Sequence, residues 1–282
     1  MIALAALAVA TAFAVRIVSL APALTEDLFA IGAGPLVVGV DAYSDRPADA
    51  LRIPRVGAMR TINSEAVAGL NPDLVVGIPY QATSIADLAR LGVRTQILPV
   101  DTLADDLGAI ATLGRLTGRE RAAARLLRSI RGRLDAAARA TRSLPVPRAL
   151  AVIGVAPMFT AGRGSYVDDL FAIAHIRNVA GGVSAAFPAL SAETVEADDP
   201  DVLIVPRGTA IPGEPPWSRL RAVREHRVVT VDEDDLMRPG PRVADVVEAL
   251  VRGVARYRGR AGATANANTA PPASRRTAMG MP

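Results

Sequence analysis

The sequence predicts an α/β protein with two Rossmann-like lobes, each built on a parallel sheet, joined by a single long α-helix. Three observations support this fold class. Short runs rich in Val, Ile and Leu alternate with helical patterns, as in parallel sheets covered by helices. One helical pattern near the middle of the chain is longer than the others. The segments "SEAVAGLNPDLVVG" and "AETVEADDPDVLIV", on either side of that pattern, resemble each other in the same register.

The two similar segments form an internal repeat with a spacing of 128 residues. The matching pairs are Glu65 and Glu193, Val67 and Val195, Pro72 and Pro200, and Asp73 and Asp201. Each copy reads as a helix, a turn and a buried strand, because the residue before a proline is disfavoured in the α region and ends the helix. We therefore expect one equivalent helix–turn–strand unit in each lobe.

In chain order, one group of strand candidates precedes the long helix and a second group follows it. The first group is Arg16–Leu20, Leu36–Val40, Leu74–Gly77 and Thr95–Leu98. The second group is Ala149–Ile153, Val202–Val205 and Val228–Val231. The helical pattern between them runs from Thr117 to Arg142 with apolar residues on one face. At 1.5 Å per residue it would be about 39 Å long, and Pro145 and Pro147 then end it.

These elements divide the 282 residues into segments, since a chain much longer than about 100 to 150 residues usually forms two domains. We predict a signal peptide at 1–14, an N-terminal lobe at 15–116, the connecting helix at 117–143, a C-terminal lobe at 144–258 and a disordered tail at 259–282. The signal peptide follows from the apolar run "MIALAALAVATAFA", and the tail from its small, polar composition. Parallel lobes bind ligands beyond the carboxyl ends of their strands, so we expect a cleft where the lobes face each other.

Composition and motifs exclude several function classes. The net charge is only +4 and the arginines alternate with acids along helices, so we expect no nucleic-acid partner. This sequence has no Cys, which excludes disulfides, thiolate metal sites, Cys nucleophiles and a lipoprotein cysteine within it. His175 and His226 lack motif partners, so we expect structural roles for them and no catalytic residue, metal or cofactor. The segment "TAGRGSYVDDL" indicates a turn and a helix N-cap at Ser165 more than a phosphate-binding loop.

Aromatic residues suggest where a ligand would bind. The chain has five Phe, four Tyr and one Trp, and half of them fall in connections between elements, namely Tyr43, Tyr80, Phe159, Phe187 and Trp217. Each ring alone is equally consistent with a plug that packs a loop onto the core. Together the rings favour an apolar, flat-walled ligand site.

Glu65 and Glu193 occupy matching positions in the repeat, so we expect one exposed carboxylate on each lobe at the same end of the molecule. The simple explanation is that a carboxylate in the first turn of a helix interacts favourably with the exposed N–H groups there. The alternative is a two-point docking surface for arginines of a pseudo-symmetric partner. The residues alone leave both explanations open.

The segment "RIVSLAPALTEDLFAIGAGPLVVGVDAYSDRPADALRIPRVG", followed by "NSEAVAGLNPDLVV", resembles the opening of periplasmic substrate-binding proteins of cobalamin, haem and ferric-siderophore ABC importers. The resemblance continues through "LARLGVRTQIL", "PPWSRLRAVREHRVVTVD" and "RPGPRVADVVEAL", and covers Arg16 to Tyr257. It implies two lobes on one long helix and a monomer that is exported, soluble in the periplasm and free of a lipid anchor. It also implies that Glu65 and Glu193 dock on arginines of a permease dimer, which works with an ATPase.

The resemblance also suggests a ligand. The segment "AYSDRPADA" is most similar to cobalamin binders, which implies that Tyr43 packs against the corrin ring of a corrinoid. Tyr80, Phe159, Phe187 and Trp217 fall in or beside the loops that line the family's cleft. Met59 is a departure, because cobalamin binders often carry an aromatic residue before the first docking glutamate. A haem ligand would place Tyr43 on the iron, and a ferric siderophore would require cleft arginines, for which the candidates are Arg60, Arg238 and Arg242.

Two other classes compete with a transport protein. A two-lobed glycosyltransferase-like enzyme would need a phosphate-binding helix start and a general base, and neither is evident in the sequence. An adhesin or sensor domain with the same fold would differ only in its partner. Whichever class applies, we expect limited closure of the lobes, because one stiff helix is a poorer hinge than flexible strands.

Overall fold

The computed structural model describes residues 16–258, except for the side chains of Glu233, Asp234 and Arg258. The predicted signal peptide at 1–14 and the predicted tail at 259–282 lie outside the described residues. The strands are β1 Ile17–Ser19, β2 Val37–Val40, β3 Gly57–Ala58, β4 Thr61–Ile62, β5 Leu74–Gly77, β6 Thr95–Ile97, β7 Arg148–Ala151, β8 Gly154–Val155, β9 Met158–Phe159, β10 Arg177–Asn178, β11 Val202–Pro206 and β12 Val228–Val231. The α-helices are α1 Pro22–Ala30, α2 Ser64–Gly69, α3 Ala82–Arg90, α4 Leu103–Thr117, α5 Glu120–Thr141, α6 Tyr166–Ile173, α7 Ala192–Asp198, α8 Arg221–Arg224, α9 Glu233–Met237 and α10 Val243–Arg258.

Each lobe is built on a four-stranded parallel sheet. The N-terminal sheet has the order β2-β1-β5-β6, and the C-terminal sheet has the order β10-β7-β11-β12. In both sheets the first strand lies inside, the next pairs on one side of it, and the last two continue on the other side. Two short antiparallel hairpins, β3-β4 and β8-β9, are added to this frame. The predicted fold class is confirmed.

The internal repeat is a repeated structural unit. In the first copy, α2 leads into β5, and the Oδ2 atom of Asp73 accepts a hydrogen bond of 2.9 Å from the backbone N–H of Arg16. In the second copy, α7 leads into β11, and Asp201 accepts an equivalent bond of 2.9 Å from Arg148. Each aspartate therefore ties the turn after its helix to the start of the neighbouring strand. The residues before the two prolines leave the helical region, with φ of 44° at Asn71 and 33° at Asp199.

The long helix starts later than the sequence predicts. Gly118 adopts a left-handed conformation with φ of 67° and ends α4 at Thr117, so the predicted start at Thr117 is wrong. Helix α5 then has 22 residues and is about 33 Å long. Its buried face carries Ala123, Leu127, Ile130, Leu134 and Ala137. These residues belong to the apolar face that the sequence predicts.

One hydrophobic core runs through both lobes. It contains Leu24 of the N-terminal lobe, Leu127 of α5, and Phe171 and Leu250 of the C-terminal lobe. Helix α5 packs against α4 on one side and α10 on the other, so the connecting helix is part of the core and not an isolated linker. Within the described part of the chain, no helix is long and apolar enough to cross a membrane.

Candidate ligand cleft and docking surface

An apolar cavity of about 330 Å³ lies where the two lobes meet. Its lining residues are Ala21, Pro22, Ala23, Tyr43, Met59, Ile78, Val100, Met237, Arg238 and Pro239. The N-terminal lobe contributes segments that follow β1, β2, β5 and β6, and the C-terminal lobe contributes the end of α9 and the residues after it. This is the carboxyl edge of the N-terminal sheet, where parallel α/β folds bind their ligands.

A second, more polar cavity of about 310 Å³ adjoins the first and shares Met59 with it. It is lined by Met59, Arg60, Tyr80, Gln81, Thr83 and Ser84. The guanidinium carbon of Arg60 lies 4.7 Å from the centre of the Tyr80 ring, which is a cation–π contact. The cleft therefore has an apolar compartment between the lobes and a polar compartment on the N-terminal lobe.

The hairpin β3-β4 positions the residues shared by the two compartments. Met59 and Arg60 form its two-residue turn, between Ala58 and Thr61. Gly57 has φ of 132°, and a Cβ atom there would lie 2.3 Å from the carbonyl oxygen of Thr61. Only glycine fits this close approach of the two strands, so Gly57 is required for the hairpin that presents Met59 and Arg60.

The aromatic residues that the sequence assigns to the ligand site form three groups: two line the cleft, two are exposed on the C-terminal lobe, and one is buried in the core. Tyr43 lines the apolar compartment with 54% of its surface exposed, and Tyr80 lines the polar one. Phe159 and Phe187 are exposed on the C-terminal lobe, beside β9 and its bridge to Ala189, outside both compartments.

The predicted ligand role of Trp217 is wrong. This residue is 3% exposed and belongs to the core of the C-terminal lobe, with Leu150, Val205 and Leu220. A short 3₁₀ helix, Trp217–Arg219, turns the indole inward. The Pro-rich loop "GEPPWSRL" indicated exposure, but burying the largest apolar side chain of the lobe removes more apolar surface from water than leaving it in the cleft.

The three candidate arginines do not all line the same compartment. Arg238 lines the apolar compartment and forms an ion pair of 2.5 Å with Asp45 of the opposite lobe. Arg242 lies outside both compartments. Its guanidinium donates to both carboxylate oxygens of Glu26, at 2.8 and 3.0 Å, and also pairs with Asp235. Glu26 belongs to the N-terminal lobe, so Arg242 links the two lobes.

A second interlobe ion pair lies beside Arg242. Arg46 of the N-terminal lobe is 3.3 Å from Asp232 and 3.4 Å from Asp235 of the C-terminal lobe. Arg46 and Arg242 line a separate interlobe cavity of about 400 Å³. The arginines at the lobe boundary are thus engaged by carboxylates of the opposite lobe.

Glu65 and Glu193 lie in the first turns of the equivalent helices α2 and α7, and both are exposed. Asn63 caps α2 by accepting from the N–H of Ala66 at 2.9 Å, and Ser191 caps α7 by accepting from Thr194 at 3.2 Å. A hydrogen bond with the Ser191 side chain lowers the pKa of Glu193. Because each helix runs back to the start of its strand, its first turn lies toward the carboxyl edge of its sheet.

The histidines and the glycine-rich segment lie at turns and helix ends. His175 follows α6, and its Nδ1 atom lies 2.8 Å from the carbonyl oxygen of Thr141. His226 lies in an exposed turn. Ser165 caps α6 by accepting from the N–H of Asp168 at 3.2 Å, which confirms the predicted turn and N-cap. Among the side chains that the structure describes, no group of three or more His, Asp and Glu residues could hold a metal ion.

Two parallel-sheet lobes that meet at a cleft, with a buried helix joining them, are the architecture that the resemblance to substrate-binding proteins of ABC importers implies. The family model for periplasmic binding proteins matches residues 17–234. The chain belongs to this family.

Relatives of known name agree with this class. The chain is 28% identical over 251 residues to an uncharacterized ABC transporter substrate-binding lipoprotein, YvrC, of Bacillus subtilis, and the match covers 85% of this chain and 79% of that one. It is 30% identical to a vitamin B12-binding protein of Vibrio cholerae, over 83% of this chain and 87% of that one.

Solved structures extend the comparison. The periplasmic vitamin B12 binding protein BtuF of Vibrio cholerae superimposes with a TM-score of 0.78 and 28% identity, over 86% of this chain and 98% of that chain. The periplasmic heme-binding protein RhuT of Roseiflexus sp. RS-1 superimposes with a TM-score of 0.75 and 29% identity, over 84% of this chain and 98% of that chain. The protein is therefore a substrate-binding protein of an ABC importer, and the relatives described here include vitamin B12-binding and heme-binding proteins.

Proposed function

We propose that this protein captures a corrinoid in the cleft between its lobes and delivers it, unchanged, to the permease dimer of an ABC importer in the periplasm. The observation that carries the proposal is the apolar compartment with the exposed Tyr43 ring on its wall. A flat macrocycle covers such a ring and removes its apolar surface from water. The names of the vitamin B12-binding relatives support the same ligand class.

The charges around the cleft favour a corrinoid, whose periphery is rich in neutral amides. Arg46, Arg238 and Arg242 are each paired with a carboxylate of the opposite lobe. A strongly acidic ligand would have to compete with those carboxylates for the guanidinium groups. A neutral periphery does not meet this competition.

Haem is the second candidate, because the heme-binding relative is similar over most of both chains. In that case the Tyr43 phenol would face the iron, and Arg60 would pair with an acidic substituent of the porphyrin. A ferric siderophore remains the third candidate, with Arg60 and Arg238 as anchors.

Docking completes the proposed function. Glu65 and Glu193 would bind arginines of the two permease subunits, one from each lobe, while the ATPase drives transport. Their exposure and their equivalent positions in α2 and α7 support this role. We propose that the protein is monomeric, since two nonidentical lobes of one chain then match the two subunits.

Calorimetric titration of the purified protein with cyanocobalamin, haemin and a ferric hydroxamate siderophore tests the ligand. We expect cyanocobalamin to bind and Tyr43→Ala to weaken its binding at least tenfold. Leu91→Ala removes an exposed apolar side chain from the end of α3, outside the cleft, and should leave the affinity unchanged. Binding of haemin or the siderophore alone would replace the corrinoid by that ligand. Calorimetry is preferable to Trp fluorescence because Trp217 is buried in the core.

A further inference from the structure

Two carboxylic acids are buried at the boundary between the lobes. Asp27 lies on α1 and Asp106 on α4, two helices that pack against each other. Both residues are 0% exposed. None of their four carboxyl oxygens has a hydrogen-bond partner of normal geometry within the described part of the chain. A buried ionised carboxylate without a partner is strongly unfavourable, so at least one of the two acids must hold a proton.

The C-terminal lobe covers this acid pair with the segment around Gly240. A side chain at Gly240 would lie 3.9 Å from the Oδ1 atom of Asp27, and the Gly240 backbone faces Asp106. Tyr166 of α6 also faces Asp106, and its hydroxyl donates to the carbonyl oxygen of Leu236. The acid pair is thus a contact between the two lobes.

The elements packed around the pair carry further charged groups, on α1, α6 and α9 and at Arg242 just before α10. Glu26 on α1 faces both acids and is bound by Arg242, which also pairs with Asp235 of α9. On α6, Asp169 accepts a hydrogen bond of 2.9 Å from the N–H of Leu103 at the start of α4. No cation among the described residues forms an ion pair with Asp27 or Asp106.

Burial, then repulsion by Asp106 and Glu26, raises the pKa of Asp27 well above its ordinary value. Burial raises the pKa of Asp106 to about 7. The Gly240 backbone opposes this rise, and repulsion by Glu26 adds to it. The acid pair therefore exchanges a proton near neutral pH.

The acid pair is directly connected to the ligand cleft. Met237, Arg238 and Pro239 form the C-terminal wall of the apolar compartment, and Gly240 follows them with φ of 140°. We propose that Asp27 and Asp106 are a proton-dependent clasp that holds the segment 237–240 against the N-terminal lobe and loosens it when Asp106 ionises. Ionisation places a second negative charge beside Glu26, and solvation of that charge requires the segment above it to move away.

Hydrogen–deuterium exchange of the ligand-free protein tests the clasp, so the test does not depend on ligand identity. The probe is the set of amides of Met237, Arg238 and Gly240 between pH 5.5 and 8.5, corrected for the intrinsic pH dependence of exchange. We expect their protection to fall at least fivefold between pH 6 and 8 in the wild type. Asp106→Asn carries no titrating carboxyl at this position and should keep nearly constant protection.

Asp87→Asn is the matched control, since Asp87 is a half-exposed aspartate on α3, far along the chain from the clasp, whose side chain pairs with Arg90. This variant should show the wild-type profile. Glu26→Gln removes the repulsion that Asp106 meets and should shift the transition to lower pH, which provides a second test if Asp106→Asn does not fold. Wild-type protection that is independent of pH, or an unchanged transition in the folded Asp106→Asn or Glu26→Gln variant, would overturn the proposal.

Discussion

Replacement of Asp106 by Asn should change how the free energy of unfolding depends on pH. The pKa of Asp106 is about 7 in the folded protein, against an ordinary value of 3.8, chiefly because the carboxyl is buried. Between these two values the folded protein holds a proton that the unfolded chain releases, so the folded state loses stability as the pH rises. Below pH 4 both states are protonated, and above pH 7 both are ionised.

The magnitude follows from the size of the shift. One pKa unit corresponds to about 1.36 kcal/mol, so the Asp106 carboxyl removes about 4 kcal/mol of unfolding free energy as the pH rises from about 4 to about 7. The Asn variant lacks this contribution. Relative to the wild type, its free energy of unfolding should therefore rise by about 4 kcal/mol across the same interval, whatever constant cost the amide adds.

Urea denaturation at several pH values between 4 and 8 measures this difference. Carboxylates with a lowered pKa, such as Asp45 beside Arg238, contribute in the opposite direction, since their stabilisation is lost as the pH falls. These contributions cancel when the variant is compared with the wild type at each pH. Parallel curves for the two proteins would refute the reasoning, because the burial of Asp106 would then have no proton linked to it.

Two further predictions test the site assignments. Trp217→Ala should lower the free energy of unfolding by about 3–5 kcal/mol, because it leaves a cavity in the C-terminal core. It should leave the ligand affinity unchanged, and denaturation and calorimetry measure the two effects. A loss of affinity without a loss of stability would contradict the core assignment. Glu65→Arg and Glu193→Arg should each reduce ligand-dependent stimulation of the transporter ATPase at least tenfold with ligand affinity unchanged. Glu120→Arg, which changes an exposed first-turn glutamate of α5, is the control; equal loss in all three variants would argue against specific docking.

The strands and the repeat could be predicted because the signals are local. A buried parallel strand requires a run of apolar residues, and β1, β2, β5, β7, β11 and β12 all lie on such runs. The short strand β10 could not be predicted, because Arg177–Asn178 carries no apolar pattern and forms only by pairing with β7. The predicted start of α5 at Thr117 is too early, because α4 ends at that residue and Gly118 then separates the two helices.

The ligand site was predictable only in part. Local sequence places Tyr43 and Tyr80 in connections after strands, and the family resemblance singles out Met59 and Arg60. The structure brings these four residues to the two compartments of the cleft. Local sequence also places Trp217 in a connection, but its loop folds inward and buries the ring in the core. Sequence position shows that a side chain lies in a loop, but the packing of the loop decides which way that side chain points.

By itself the sequence determined two lobes of the same construction, the helix that joins them and the matched glutamates, because each depends on periodicity, turn residues or spacing along the chain. The tertiary structure alone decided the ion pairs between the lobes and the meeting of Asp27 with Asp106. In the sequence those acids lie on separate helices among ordinary charged neighbours, and nothing distinguishes them from solvated residues. Their burial depends on how α1 and α4 pack beneath Gly240. That burial raises the pKa of both carboxyl groups.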